Sequence, residues 1–248
     1  MLNREKLSSL LPDTEVVVFD ITDSTNTQAN LLARSHGGNI LVAANAQTNG
    51  KGRQGKSFYS PAQSGVYFSV VLRPNGELGD VVSITSAAAV AVSETIEEMT
   101  DLNPQIKWVN DIYVGGKKVC GILAQSVIEG GKICGIVVGI GVNVTTSVFP
   151  DGLGTTAGSL NTDIDKNAFV ARVAEKLFTF SRNTSDKTYL DYYRKKSCVI
   201  GRKIKFFISN TEHHGEAVGI DDNANLLVRE NGEIVRLTGG EITLRLDE

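Results

Sequence analysis

Residues 40–72 read ILVAANAQTNGKGRQGKSFYSPAQSGVYFSVVL, two apolar segments on either side of a glycine-rich basic loop. The loop matches the phosphate-binding pattern G-x-x-x-x-G-K-[ST] at residues 50–57. A working loop of that type needs a helix after it, so that the helix N-terminus faces the phosphates. Here Pro61 and Gly65 break any helix, and residues 66–72 are β-branched and aromatic. The stretch therefore predicts strand–loop–strand and argues against a P-loop NTPase.

The loop itself is a candidate anion site. It alternates glycines with cations: Gly50, Lys51, Gly52, Arg53, Gly55 and Lys56. Free backbone N–H groups and side-chain charge can converge there on a phosphate or carboxylate. A solvated surface turn is the alternative for such a run, and the close spacing of the three glycines favours anion binding.

Composition limits the classes of protein. The 248 residues are 41% hydrophobic and 21% charged, with a net charge of -3. This is the composition of a globular protein and not of one that binds nucleic acid through bulk charge. No apolar run approaches the length of a membrane span, and the N-terminus lacks an apolar signal core. Three cysteines without a C-x-x-C, and histidines without metal-ligand spacing, predict a cytoplasmic protein with no metal site of its own.

Periodicity predicts mixed α and β structure before residue 198 and only strands after it. We expect a helix from residue 25 with a capping box at residues 25–28, running to Gly37-Gly38, and a second helix at residues 81–99 capped by Asp80. His213-His214 is expected in a turn. The predicted strands are 15–21, 40–44, 66–72, 105–109, 112–114, 117–128, 132–144, 204–208, 216–220, 226–229, 234–237 and 242–246, and the remaining helices are 166–180 and 189–196.

Two further places combine polar groups with apolar strands. Residues 107–111 read KWVND and residues 117–123 read KKVCGIL, so Asp111 and Lys118 can face each other as a base and an electrophile. Taken alone, Asn110-Asp111 would be a turn and Lys117-Lys118 would be the start of an edge strand. Residues 139–144 read GIGVNV, where glycines within a strand predict close approach of another backbone or of a ligand.

In this order, the motifs resemble those of the biotin protein ligases, also called biotin–[acetyl-CoA-carboxylase] ligases. That family shows S-T-N, G-R-G-R-x-G-R-x-W, K-W-P-N-D, K-K-x-x-G-I-L and G-I-G-x-N-V. This chain matches them at residues 24–26, 50–58, 107–111, 117–123 and 139–144, and its ending at 239–245 is also similar. Because the chain starts directly at the catalytic region, it resembles the monofunctional type without an N-terminal DNA-binding domain, and no DNA partner is expected.

The resemblance implies a reaction in two steps. The carboxylate of biotin attacks the α-phosphate of ATP, supplied with Mg²⁺, to give biotinyl-5′-AMP and pyrophosphate. A lysine of a biotin carboxyl carrier protein or domain then attacks this anhydride. The oligomeric state is left open, with a homodimer as one candidate.

The resemblance also assigns roles to residues. Catalysis falls to Lys118, Arg53 and Asp111. The residues implied to bind biotin are Ser24, Thr25, Asn26, Gln47, Lys51, Gly52, Arg53 and Lys118. The residues implied to bind the nucleotide are Lys56, Phe58, Lys107, Asn110 and Asn143.

Several positions depart from the family pattern. Lys51 and Lys56 replace arginines. A guanidinium group, which can bind phosphate through two parallel N–H groups, is thereby replaced by a single ammonium charge. Phe58 replaces a tryptophan that stacks on adenine, and Val109 replaces proline.

The implied fold is α+β. It has a mixed sheet backed by helices, like the class II aminoacyl-tRNA synthetases, in a catalytic domain of residues 1–198. A small SH3-like β barrel follows at residues 199–248. Two other functions stay open: a lipoate ligase or octanoyltransferase, and a non-catalytic module that binds a carrier domain.

Overall fold

A computed structural model describes residues 1–73, 81–150, 152–209, 211–240 and 242–244. Asp80, the predicted cap of the second long helix, and residues 245–246 of the last predicted strand lie outside these ranges. The helices are α1 (Arg4–Leu10), α2 (Thr25–Ala33), α3 (Val81–Met99), α4 (Lys166–Arg182) and α5 (Tyr189–Lys196). The strands are β1 (Thr14–Thr22), β2 (Asn39–Gln47), β3 (Gly65–Leu72), β4 (Gln105–Lys107), β5 (Asp111–Val114), β6 (Lys117–Glu129), β7 (Lys132–Asn143), β8 (Lys203–Ile208), β9 (Thr211–Ile220), β10 (Leu226–Glu230), β11 (Glu233–Leu237) and β12 (Ile242–Leu244).

The larger sheet has seven strands in the order β1-β2-β3-β7-β6-β5-β4. Only β1 and β2 pair in parallel, and the other neighbours are antiparallel. Helix α2 packs on one face, over β2, β3 and β7, while α3 and α4 cover the other. Alternate strand residues therefore enter different cores: Ile40 and Val42 contact α2, whereas Leu41 and Ala43 join the main core.

The stretch that matched the phosphate-binding pattern is a strand–loop–strand, as predicted. Strand β2 ends at Gln47, a single 3₁₀ turn covers Arg53–Gly55, and β3 begins at Gly65. Strands β2 and β3 are antiparallel neighbours in the sheet. The long hairpin between β6 and β7 is also confirmed, with Gly130 and Gly131 at φ 56 and 77° in its turn.

Two predictions about helix α2 are wrong: where it ends, and how its first turn is capped. Helix α2 begins at Thr25 with Ser24 as its N-cap, and it ends at Ala33 rather than at Gly37. The expected capping box is not formed, because the Thr25 N–H donates to the side chain of Gln47 on β2, 2.8 Å away. A partner distant in sequence has taken the place of the local cap.

Helix α1 was not predicted, since only Leu7 of its residues is buried and it carries little periodic signal.

Five antiparallel strands form the C-terminal sheet, in the order β11-β10-β9-β8-β12. His213 and His214 lie within β9 and not in a turn, which corrects the sequence interpretation. The ring of His213 stacks on Phe206 and its Nδ1 lies 3.0 Å from Glu230 on the next strand. Cross-strand partners thus stabilise polar residues that look like turn formers in isolation.

The two sheets share one hydrophobic core. Phe206 and Val228 of the smaller sheet belong to the same buried cluster as β3 and α3. The Trp108 Nε1–H donates to the Ala224 carbonyl at 2.9 Å, and the Tyr193 hydroxyl donates to the Val109 carbonyl at 3.2 Å. The segment 107–111 is therefore held both by α5 and by the turn between β9 and β10. The domain boundary at residue 198 stays a prediction.

Ion pairs join α3 to α4 on the outside of the main core. Glu98 accepts from Arg172 Nε at 2.8 Å and pairs with Lys176 Nζ at 2.9 Å. The hydrogen bond from Arg172, followed by that from Lys176, lowers the pKa of Glu98 from 4.5 to about 2.

Within the described ranges, no helix is long and apolar enough to cross a membrane.

Replacing Glu98 by Gln should flatten the loss of stability in acid. Because the folded-state pKa of Glu98 is depressed, its stabilising effect is present above pH 4.5 and is lost as the pH falls toward about 2. Urea denaturation between those pH values should show a shallower decline for Glu98→Gln than for wild type. Glu175→Gln is the control, since Glu175 lies 3.8 Å from the same arginine on the surface. Parallel curves for wild type and Glu98→Gln would contradict the assignment.

Candidate active site

Two neighbouring cavities open on one region of the large sheet. The larger has a volume of about 350 Å³ and the smaller about 20 Å³. Lys51, Phe58 and Gly121 line both of them, so they form the wall between the two.

Every residue to which the family resemblance assigns a role lines one of these cavities, whereas Gly50 and Gly55 of the candidate anion loop do not. The smaller, polar cavity is lined by Ser24, Thr25, Asn26 and Gln47 together with the shared Lys51 and Phe58. The larger, basic cavity is lined by Lys51, Gly52, Arg53, Lys56, Phe58, Lys107, Asn110, Asp111, Lys118 and Asn143. Residues far apart in sequence are thus brought together, although their individual roles stay predictions.

The start of α2 forms one wall of the polar cavity. Ser24, Thr25 and Asn26 are buried, with 1, 3 and 5% of their surface exposed. Gln47 crosses from β2 and accepts from the Thr25 N–H, while its Nε2 donates to Ser60 Oγ at 2.8 Å. Because the Thr25 N–H can only donate, the Gln47 amide is fixed with its oxygen toward α2.

A buried serine lies beneath this wall. Ser69 Oγ, on β3, is 2.8 Å from Thr25 Oγ1 and 2.7 Å from Asn26 Oδ1. The Asn26 Nδ2 donates to the Leu123 carbonyl at 3.3 Å and to Gln125 Oε1 at 3.1 Å. The Asn26 side chain is thus hydrogen-bonded to β3 and to β6, the two strands that flank β7 in the sheet.

Glycines in the GIGVNV strand make room for side chains. A Cβ at Gly139 would lie 1.8 Å from Asn26 Oδ1, and one at Gly141 would lie 2.5 Å from the Phe58 ring. A Cβ at Gly121 would also press on that ring, at 3.2 Å. The predicted close approach to these glycines is therefore confirmed. In this structure the groups that approach them are the side chains of Asn26 and Phe58, and not another backbone.

The basic loop is closed by its own backbone. The N–H groups of Gly52, Lys56 and Phe58 donate to the carbonyls of Lys56, Arg53 and Gly50. These three donors are used within the loop, so fewer of its backbone N–H groups are free for an anion than the glycine-rich sequence suggested. Side-chain charge must then provide more of any anion binding than the sequence suggested.

The catalytic candidates meet on β5 and β6. Lys118 Nζ lies 2.7 Å from Asp111 Oδ1, with 33 and 18% of the side chains exposed. The Arg53 Nη1 reaches across from the loop and donates to Asn110 Oδ1 at 3.1 Å. Asn110 is held by β6, because its Nδ2 donates to the Ile122 carbonyl at 3.0 Å. Two cations, one carboxylate and an amide therefore converge on one side of the basic cavity.

The other nucleotide candidates are also fixed by neighbours. Lys107 Nζ lies 5.8 Å from the centre of the Tyr113 ring, a cation–π contact. Asn143 is buried, and its Nδ2 donates to the Gly158 carbonyl at 3.0 Å. Among the residues that the structure describes, its Oδ1 has no hydrogen-bond partner, so it can accept from a ligand.

Cys120 is excluded as a nucleophile, although it lies close to Lys118 and Asp111. Burial raises the pKa of its thiol far above the ordinary value. The reactive form of cysteine is the thiolate, so Cys120 stays a neutral core residue. All three cysteines are free.

Sequence reasoning missed several residues of the site. Ser69 is a polar residue in the middle of an apolar strand, a signal that could have identified it. Thr156 accepts from the Lys118 N–H at 2.9 Å, and Gly240, Ile242 and Thr243 of the C-terminal sheet line the basic cavity. No sequence pattern places these last residues near Lys118, since tertiary packing alone brings them there.

A larger cavity, of about 910 Å³, lies between α3, α4 and α5. Three of its charged residues, Glu94, Arg172 and Lys176, form ion pairs with one another or with Glu98. None of the predicted site residues lines it. In the described ranges, no group of three His, Cys, Asp or Glu side chains is arranged to hold a metal ion. We therefore place the site at the paired cavities.

The fold and the cavities define a mixed-sheet protein in which a small polar cavity lies beside a larger one lined by cations. Residues 18–143 match the biotin/lipoate A/B protein ligase family, and residues 199–245 match the biotin protein ligase C terminal domain. The chain belongs to the biotin protein ligase family.

Curated relatives and solved structures agree with this assignment. The chain is 32% identical to the bifunctional ligase/repressor BirA of Bacillus subtilis, over 92% of this chain and 74% of the relative. It is 30% identical to the biotin–[acetyl-CoA-carboxylase] ligase of Paracoccus denitrificans, over 84% of this chain and 91% of the relative. The biotin protein ligase of Aquifex aeolicus, solved in complex with biotin and ATP, superposes with a TM-score of 0.79 at 26% identity, covering 94% of this chain and 99% of that one.

Gly139→Ala should destabilise the protein through Asn26. The new methyl group would overlap Asn26 Oδ1, so Asn26 must move and break its contacts with Ser69 and Leu123. We expect a loss of about 1–3 kcal/mol in the free energy of unfolding by urea. Gly219→Ala is the control, because nothing lies within 4 Å of a Cβ placed there. Equal losses for both variants would show that the contact with Asn26 is not the cause.

Proposed function

We propose that this protein attaches biotin to a lysine of a carrier protein at the expense of ATP, through biotinyl-5′-AMP. The observation that carries the proposal is the pair of cavities, one polar and one basic, which share Phe58, Lys51 and Gly121 as lining residues. Biotin has a polar ureido ring at one end and a carboxylate at the other, which suits such a pair. Family membership and a relative solved with biotin and ATP support the same reaction.

The polar cavity is the proposed place of the ureido ring. Ser24, Thr25, Asn26 and Gln47 offer a fixed set of hydrogen-bonding groups, which are buried or half-buried. Its volume of about 20 Å³ is too small for a bicyclic ring, so Phe58 or the basic loop must move to admit biotin. Lys51, Gly52 and Arg53 would then close over the ligand and keep water from the anhydride.

The basic cavity is the proposed place of the first reaction. The carboxylate of biotin attacks the α-phosphorus of ATP, a P–O bond breaks, and pyrophosphate leaves. Lys118 and Arg53 stabilise the negative charge that builds on the α-phosphate, and Asn110 keeps Arg53 in position. Lys56, Phe58, Lys107, Asn110 and Asn143 would hold the nucleotide. ATP enters as its Mg²⁺ complex, and the ion serves to neutralise phosphate charge.

In the second reaction the acceptor lysine attacks the carbonyl carbon of the anhydride. The amine loses a proton, an amide bond forms, and AMP leaves. Asp111 holds Lys118 at 2.7 Å before ligands arrive. Once phosphate and carboxylate groups engage Lys118, the Asp111 carboxylate is available to orient the incoming amine or to accept its proton.

The finer architecture and setting also belong to this proposal. We assign residues 1–198 to the catalytic domain, with a core like that of class II aminoacyl-tRNA synthetases, and residues 199–248 to an SH3-like barrel. The acceptor is a biotin carboxyl carrier domain of the acetyl-CoA carboxylase type. A cytoplasmic location, the lack of a DNA partner and a homodimeric state are further parts of the proposal.

Transfer to a carrier domain should depend on Asp111. Wild type, biotin, MgATP and a purified carrier domain should give a carrier heavier by one biotinyl group, measured by mass spectrometry. Asp111→Asn should lower the transfer rate about 10–100-fold, because a proton acceptor is lost. A carrier with its target lysine changed to arginine is the control. If lipoate and not biotin is transferred, the protein is instead a lipoate ligase.

Removing the charge of Lys56 should weaken ATP binding selectively. We expect Lys56→Ala to raise the KM for ATP about 3–10-fold, since one cation facing the phosphates is lost, and to leave biotin affinity close to wild type. Steady-state kinetics and calorimetry measure the two quantities. Lys203→Ala, a lysine on the C-terminal sheet, controls for net charge. An unchanged KM for ATP would remove Lys56 from the nucleotide site.

A further inference from the structure

The turn between β9 and β10, residues 221–225, is built around one carboxylate. Asp221 Oδ1 accepts from the backbone N–H groups of Asn223 and Asn225, each at 2.9 Å, and its Oδ2 accepts from Asn225 Nδ2 at 3.1 Å. Arg236 on β11 pairs with the same Oδ2 at 3.1 Å, and only 17% of the Asp221 side chain is exposed. A side chain that binds the backbone two and four residues ahead fixes the course of the chain between them.

The buried residue Ala224 has an unusual backbone in this turn. Its φ is 61°, in the left-handed region that residues with a Cβ seldom occupy. Hydrogen bonds on both sides hold it there, because its own N–H donates to the Asp221 carbonyl at 3.0 Å and the next N–H, that of Asn225, donates to the Asp221 carboxylate. In this conformation the Ala224 carbonyl accepts from Trp108 Nε1–H at 2.9 Å. Without the Asp221 carboxylate the backbone can relax, and the carbonyl turns away.

Trp108 connects this turn to the basic cavity. The indole has one N–H and only 3% of the residue is exposed, so loss of its acceptor would cost about 1–3 kcal/mol unless the ring moves. Two and three residues further along the chain, Asn110 accepts from Arg53 and Asp111 pairs with Lys118. A shift of the indole therefore displaces the groups that hold both candidate catalytic cations.

Helix α5 keeps the turn and the segment 107–111 at a fixed separation. The Tyr193 hydroxyl donates to the Val109 carbonyl at 3.2 Å, and the Nε of the next residue, Arg194, donates to the Ile220 carbonyl at 2.9 Å. Consecutive residues of one helix thus bind the segment and the start of the turn. The direction of the Ala224 carbonyl then decides whether Trp108 finds its acceptor.

We propose that Asp221 is a positioning residue for the reaction: by folding the turn it presents the Ala224 carbonyl to Trp108, and thereby sets the positions of Asn110 and Asp111 in the basic cavity. Asp221 itself lies outside both cavities, so it acts through Trp108. Its effect on the reaction rate rests on the proposed function, whereas its hold on Trp108 does not.

Kinetics and calorimetry test the effect on the reaction. Asp221→Ala should lower the rate of biotin-dependent pyrophosphate exchange at saturating substrates about 10–100-fold, because Asn110 and Asp111 are displaced. The Kd for biotin should stay close to wild type, since the polar cavity is built by α2 and β2. A merely structural effect would lower the number of binding sites and the rate in the same proportion. Glu230→Ala is the matched control, a carboxylate of the same sheet that is 19% exposed and pairs with His213.

Two further readouts follow Trp108 itself. Trp108 is the only tryptophan of the chain, so its fluorescence reports on this contact without any ligand. Asp221→Ala should shift the emission to longer wavelength and increase quenching by acrylamide, because water reaches the indole, whereas Glu230→Ala should leave both unchanged. Trp108→Phe should also slow the exchange. Adding Asp221→Ala to Trp108→Phe should then have little further effect, since both changes break the same contact.

The outcomes separate the inference from the proposed function. Asp221→Ala with the emission or the exchange rate of wild type overturns the inference, as do effects of Asp221→Ala and Trp108→Phe that multiply in the double variant. Wild type without biotin-dependent exchange overturns the proposed function, and the emission spectrum then decides the hold on Trp108 alone.

A conservative variant covers the case in which Asp221→Ala does not fold. Asp221→Asn keeps an acceptor for the two backbone N–H groups but turns an amide N–H toward Asn225 Nδ2 and Arg236. It should shift emission and rate in the same directions to a smaller extent. Wild-type values for both would count against the inference.

Discussion

The absence of side chains at the centre of one sheet face is the constraint on which the site depends. Gly121 pairs with Gly141, and Ser69 pairs with Gly139, across β6, β7 and β3. On the same face, Val71, Val127 and Val137 form an apolar core with α2. One end of this face is thus covered by α2, and the glycines at the other end have no side chains above the sheet. The side chains of Asn26 and Phe58 occupy the space above these glycines. A methyl group at Gly139 or Gly141 would fill this space.

The remaining parts of the site are arranged around this bare surface. Helix α2 brings Thr25 and Asn26 over it, and the basic loop brings Phe58 and Arg53 from the opposite side. Segment 107–111 supplies Asn110 and Asp111, and its own position depends on Trp108, which is hydrogen-bonded to Ala224 in the turn between β9 and β10. This turn therefore supports the site from the C-terminal side, because the segment that it holds also carries Asp111, the ion-pair partner of Lys118.

Much of this could be predicted from the sequence, because the residues concerned carry local signals. Pro61 and Gly65 indicate the strand–loop–strand, and the ordered motifs identify many of the residues that line the two cavities. The missed features depend on contacts between distant segments. Gln47 replaces the capping box of α2, and His213 is held within a strand by Phe206 and Glu230. Thr156 meets Lys118 only in the folded chain.

Biotin-dependent exchange of labelled pyrophosphate into ATP tests the central claim most directly, because it reports formation of the adenylate without a carrier protein. The account predicts exchange that requires biotin and that falls about 100-fold or more in Lys118→Ala. Lys117→Ala should stay near wild type, since the Lys117 side chain reaches the Gly154 carbonyl at the surface. Exchange that is independent of biotin, or equal in Lys118→Ala and wild type, would contradict the account.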